Sequence, residues 1–158
     1  MGILKEIPAG DSFLILQTRR IIRSYRQILG RDLWPSEREP EALVKEIFHA
    51  PFVLCSAGAE ADPILNYANA QALSLWEMNW DEFTRTPGRL TAQAPERQAR
   101  EHFLKTVREQ GFIDNYCGIR ISKTGRLFEI RGASVWNVLD EEGRYAGQAA
   151  SFSEWKEL

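Results

Sequence analysis

FIDNYCGIRISKTGRLFEIRGASVWNVLDEEGRYAGQAASFSEW, residues 112–155, reads as three strands joined by two tight turns. Residues 112–122 run into Lys123-Thr124-Gly125, residues 126–139 run into Asp140-Glu141-Glu142-Gly143, and residues 144–155 close the meander. Gly-terminated turns between runs of apolar, β-branched and aromatic residues are a strong short-range sheet signal.

Side chains alternate between the faces of a strand. Read without interruption, that rule puts Ile113, Asn115, Cys117, Ile119 and Ile121 on one face of the first strand. It groups Phe128, Ile130, Gly132, Ser134 and Trp136 on the second, and Ala146, Gln148, Ala150 and Phe152 on the third. The small residues on this face leave room for either a packed helix or a ligand. Trp76, Asn115, Cys117, Ser134 and Trp136 are the candidate pocket residues; the two tryptophans either line such a cavity or fill it.

Upstream of the meander the pattern turns helical. Residues 95–110 read as the longest central helix, with a proline in the first turn and Gly111 at the end. Asn69 is a good N-cap for a short helix over 70–76, and Asn79 with Glu82 forms a capping box for a single turn near Phe83. Residues 52–56 and 64–67 read as a strand pair across a longer loop. Residues 39–49 form a short helix with Leu43, Val44, Ile47 and Phe48 apolar, and Leu33 to Ser36 a connector before it. Residues 11–29 form the first helix, capped by Asp11 or Ser12 and ended by Gly30. Its stripe of Leu14, Ile21, Ile22, Tyr25, Ile28 and Leu29 faces a core or a second subunit, which makes Ile21, Ile22, Tyr25 and Ile28 the candidate dimer interface. Its arginines, Arg19, Arg20, Arg23 and Arg26, read as a solvated face.

Composition narrows the class. The 158 residues suit one domain or a domain with a terminal helical extension; 44% are hydrophobic and 27% charged, ordinary for a globular chain. A net charge of -2 argues against a nucleic-acid surface, which is usually strongly basic. No apolar run approaches the roughly 20 residues of a membrane span, and the opening Met1 to Glu6 lacks a leader pattern. Cys55 and Cys117 are too few for a disulfide framework, so a reducing cytoplasm is expected.

Strand, strand, capping Asn, short helices, long helix and meander together resemble a PAS domain. Several blocks resemble the PAS-like MEKHLA family more specifically: Asp62-Pro63-Ile64-Leu65-Asn66-Tyr67-Ala68-Asn69, Leu75-Trp76-Glu77-Met78, Arg89-Leu90-Thr91-Ala92 and Gly111-Phe112-Ile113-Asp114-Asn115-Tyr116. Residues 133–139 and 147–155 complete the match. The resemblance is to the bacterial stand-alone type; the hexapeptide that names the family is absent as a literal string. It implies an α+β fold, a PAS-like five-stranded antiparallel sheet with short helices on one face and an additional N-terminal helix. The division expected is residues 1–50 as helical extension and 51–158 as the PAS-like domain. It further implies a sensory or interaction module, often dimeric, able to hold a small molecule between sheet and helices. The DNA-binding part of the plant members does not carry over.

No cofactor is identified by these residues. His102 on the long helix, flanked by Arg100 and Glu101, reads as exposed and so unsuited to haem. Residues 86–91, where light-sensing flavin PAS domains carry a reactive cysteine, have none. Both cysteines read as buried small hydrophobes, and two Cys with two His match no metal-ligand spacing. For a rival small-molecule enzyme of cone-shaped α+β type, Asp114 and His49 are the best acid–base pair. The expectation is a non-catalytic sensory module with a homodimer or signalling partner and a small-molecule ligand, without nucleic acid or membrane; a scaffold with a filled core is the third reading.

Overall fold

Helices α1 (Ser12–Leu29) and α2 (Pro40–Phe48) lead into strands β1 (Val53–Ala57) and β2 (Leu65–Ala68). Two short helices, α3 (Ala70–Trp76) and α4 (Trp80–Phe83), and a 3-10 turn (Gly88–Thr91) precede the long α5 (Ala94–Gln110). The chain ends in β3 (Phe112–Ile121), β4 (Leu127–Leu139), β5 (Tyr145–Phe152) and β6 (Glu154–Glu157). This is a computed structural model, and it describes residues 12–35 and 39–158. The capping role of Asp11, the connector residue Ser36 and the opening residues 1–6 lie outside those limits.

The strands form one antiparallel sheet in the order β2-β1-β5-β4-β3. β6 continues β5 rather than adding a new edge. Ser134 pairs with Ser151 in β5, and Arg131 pairs with Glu154 in β6, the same register resumed past a break at Ser153. The predicted third strand is thus one line of pairing in two pieces.

Local signals place the short helices as expected. Asn69 is fully buried. Its Oδ1 accepts from Ala72 N at 3.1 Å and Leu54 N at 3.0 Å, while its Nδ2 donates to Phe52 O at 2.8 Å and Ile47 O at 3.3 Å. One amide therefore caps α3 and ties it to β1 and to the end of α2. Asn79 and Glu82 close the capping box reciprocally at 2.9 and 3.1 Å.

The sheet separates two apolar cores. On one face α3, α4 and α5 cover Val53, Leu65, Ile130, Val135 and Phe152. On the other, α1 and α2 cover Leu54, Tyr67, Trp136 and Val138. The indole of Trp136 donates to Ile21 O at 3.2 Å and meets the Tyr25 ring edge-on at 4.7 Å. Leu139 N donates to Ser24 Oγ at 2.8 Å, and Arg20 forks onto Glu141 at 2.6 and 2.9 Å. The helix stripe expected to offer a dimer interface is used here: Ile21, Ile22 and Tyr25 are buried against this chain's own sheet and Ile28 is half-buried. A broad apolar sheet face has to be covered, and α1 is what covers it. Contact with a second copy would have to use other residues.

The meander departs from simple alternation. Ile113 pairs with Val135 and Tyr116 with Ala133, so β3 carries an extra residue between them. Gly118 then pairs with Ile130, so β4 carries the compensating extra residue. Asn115 (φ 57°) and Gly132 (φ 62°) are the left-handed residues at these two bulges. Each bulge moves the residues beyond it to the opposite face, which decides what lines the cavity.

Candidate functional site

The space between the sheet and helices α3 and α5 holds a cavity of about 100 Å³. The bulges select its sheet wall. After Ile130, the residues of β4 that face it are Ala133 and Val135, while Trp136 turns to the α1 side. Cys55 and Ala150 add a small wall from β1 and β5, and Gln148 a polar one. Trp76, from α3, gathers Phe83, Phe128 and Phe152 around its ring at centroid distances of 6.2, 5.4 and 6.3 Å. These edge-on contacts make a rigid apolar floor.

Two arginines, Arg100 and Arg120, bring positive charge to the lining. Arg120 on β3 is buried to 7% exposure. Its guanidinium donates to Ile119 O at 2.9 Å and to the Tyr116 hydroxyl at 3.1 Å, both neutral acceptors. Tyr116 stacks on Phe103 of α5, centroids 3.6 Å apart, and a side chain at position 118 would collide with its hydroxyl, so Gly118 opens the way to Arg120. Arg100, also on α5, packs its guanidinium against Gly88: a Cβ there would lie 2.7 Å from Nη2. Burial, with the nearby charge of Arg120 second, pulls the Arg100 guanidinium down to about 10. Burial pushes the Cys55 thiol up to about 12, which keeps it protonated and unreactive. Gln148 Nε2 is spent on Leu104 O at 2.9 Å and Asn137 Oδ1 at 3.3 Å.

Of the five pocket candidates, Trp76 lines the cavity. Ser134 lies on the other face and donates to Asp114 Oδ1 at 2.6 Å, and Trp136 is enclosed under α1. Asn115 occupies the bulge and Cys117 is exposed rather than buried, because the β3 bulge reverses the parity. The acid–base pair does not converge on the cavity. Asp114, paired with Arg31 at 2.9 Å, and His49, exposed at the end of α2, are both absent from its lining. His102 is exposed. Among the described residues no group of three or more His, Cys, Asp or Glu could hold a metal ion, and no helix is long and apolar enough to cross a membrane. Arg100 and Arg120 were not foreseen. The only signal was spacing: Arg100 precedes Phe103 and Leu104 by three and four positions, on the inward side of α5.

The chain belongs to the MEKHLA domain family, whose family model matches residues 15–157. The homeobox-leucine zipper protein ATHB-14 of Arabidopsis thaliana is 27% identical over 153 residues, 94% of this chain and 18% of that protein. The chain therefore spans under a fifth of the length of this curated relative. The PAS domain of a protein from Colwellia psychrerythraea superposes with a TM-score of 0.59 at 12% identity, covering 75% of this chain and 95% of that one. The light-state dimer of the fungal blue-light photoreceptor Vivid gives 0.57 at 15% identity, covering 94% and 97%. The fold is PAS-like.

Proposed function

We propose that this MEKHLA-domain chain is a non-catalytic sensory module that takes a small molecule into the cavity between its sheet and α5. The observation that carries the reading is the cavity itself. It is walled by small and aromatic side chains with a few polar groups, the usual make-up of a ligand site. About 100 Å³ is well below the roughly 300–1,000 Å³ of sites for drug-sized ligands, so the molecule is small. A flavin, suggested by the photoreceptor neighbour, does not fit. A space of about 100 Å³ between Trp76, Phe83 and Phe152 is too small for a tricyclic ring, and the cavity thiol, Cys55, is held protonated. No general acid–base pair faces the space, which favours binding over turnover.

The output we propose is altered association with a second copy or with a partner protein, since Vivid, of like fold, forms a light-state dimer. Native mass spectrometry of the chain purified without denaturation should reveal a bound small molecule, and replacing Ala150 by Phe should expel it. A bare mass for the wild type, with no thermal shift from any member of a metabolite panel, would overturn the reading. Sedimentation with and without the expelled molecule tests the output.

A further inference from the structure

We infer that the ligand is a small oxyanion, a carboxylate or phosphate group on a short carbon skeleton, gripped by Arg120 and Arg100. The inference rests on the reading that the cavity takes a small molecule and specifies its chemistry.

Two guanidinium groups point to the same lining, and the lining contains no Asp or Glu. Among the described residues Arg120 has only the neutral hydrogen-bond partners Ile119 O and Tyr116 Oη. Arg100 has no hydrogen-bond or ion-pair partner among the described residues. The nearest acid to act on it, Asp62, is engaged by Arg89 at 3.1 Å. Burial keeps the Cys55 thiol protonated, so no acidic group in the lining compensates the buried charge of Arg120 or the half-buried charge of Arg100. Withdrawing a charge from water without a counter-charge is strongly unfavourable. Elsewhere the chain pairs its arginines readily: Arg20, Arg23, Arg31, Arg126, Arg131 and Arg144 all reach carboxylates. Arg19, Arg85 and Arg108, exposed to solvent, and Arg97, bonded to Ala92 O at 3.0 Å, reach no carboxylate among the described residues either; Arg120 differs in being buried, and in the cavity the missing counter-charge is a ligand's.

One further polar group of the lining residues agrees in sign. The Trp76 indole N–H is buried and has no acceptor among the described residues. Two guanidiniums and an unspent N–H form a donor set, which matches an acceptor with no protons to give. The aromatic floor around Trp76 suits a few carbons attached to that acceptor. An apolar cavity of about 150 Å³ holds a benzene, so a space of this size takes a short acid or a small phosphate.

Calorimetric titration of the full 158-residue chain, in low-salt buffer free of carboxylate and phosphate, tests this with three probes: succinate, its neutral isostere succinamide, and inorganic phosphate. Succinate or phosphate should bind and succinamide should not; whichever of the two binds tighter identifies carboxylate or phosphate as the head group. Arg100→Gln, at the half-buried position, should weaken the anion roughly 10- to 100-fold. Arg120→Lys keeps the charge but not the fork and should weaken it less than Arg120→Gln. Arg131→Gln, on an exposed pair with Glu129, should change nothing. Equal binding of succinate and succinamide, abolished by Ala150→Phe, would overturn the anion and leave the cavity reading standing. No binding of any probe, with a bare mass in native spectrometry, would remove both. Anion binding unchanged in Arg100→Gln and Arg120→Gln would place it outside the cavity and refute the inference.

Discussion

Asn115 Oδ1 lies 3.9 Å from where a Cβ on Gly132 would stand, and both residues hold a left-handed backbone, φ 57° and 62°. They are the two extra residues of facing strands, and their register shifts cancel. Because nothing but Asn115 comes within contact of that Cβ position, the need for glycine at 132 is conformational rather than steric. Gly132→Ala should therefore cost about 1–2 kcal/mol in urea or guanidinium unfolding. Asn115→Gly should be neutral within about 0.5 kcal/mol, since it relieves the same strain. A neutral Gly132→Ala would mean that the bulge does not hold the positive φ in solution.

Asn69 satisfies four backbone groups with one side chain. Its replacement by Ala removes these bonds from the Leu54 and Ala72 N–H groups and the Phe52 carbonyl, while Ile47 O keeps the bond from Ala50 N at 3.2 Å. A loss of roughly 2–4 kcal/mol is expected from equilibrium denaturation. Asn69→Asp keeps the acceptor for Leu54 and Ala72 but sets a carboxylate oxygen against the carbonyls of Phe52 and Ile47, so it should be no better than Ala. Stability within about 0.5 kcal/mol of wild type for either variant would refute the hub role.

The two cysteines should report the face reversal directly. Cys117 is exposed, whereas burial lifts the Cys55 thiol to about 12. Titration of the folded protein with an aromatic disulfide reagent should show one fast thiol at neutral pH, lost in Cys117→Ser, with the second released on unfolding. Two thiols reacting at equal rates would mean that the strand keeps simple alternation.

Glu141 fastens the β4–β5 turn to α1, and its hydrogen bond with Arg20 is the main cause that holds its carboxyl down from 4.5 to about 2. A depressed carboxylate stabilises the fold in full above its unfolded value, and that contribution is lost as pH falls toward its folded value. The stability difference between wild type and Glu141→Gln should thus be constant above pH 4.5 and shrink to nothing near pH 2. The pair is solvent-exposed, so added salt should reduce the difference as well. A difference that grows on acidification would contradict the assignment.

Most of the fold was readable because its signals are local. Asn69 and the Asn79–Glu82 box announce helix starts through their own backbone bonds, and the α1 stripe announces a buried face. The pocket was not readable from the same rules, since strand parity carries only until the first bulge. Ser134 and Trp136 were assigned across Gly132, and Cys117 across Asn115, so they fell on the wrong side. An isolated glycine inside a strand was the one available warning. The arginines were passed over for a different reason: a charged residue is ordinarily at the surface, and only tertiary packing turns Arg120 inward.

The sheet is a single layer thick, and β4, between β5 and the edge strand β3, serves both of its faces. Ala133 and Val135 look into the cavity, while their neighbours Ser134 and Trp136 look toward α1. Neither compartment has a wall of its own. The cavity lies between α5 and one side of this layer, and Trp136, held by α1, lies on the other. Ala149 belongs to both, packed in the core under α1 and lining the cavity. The N-terminal helix, which contributes no residue to the cavity, is thus the backing of its sheet wall.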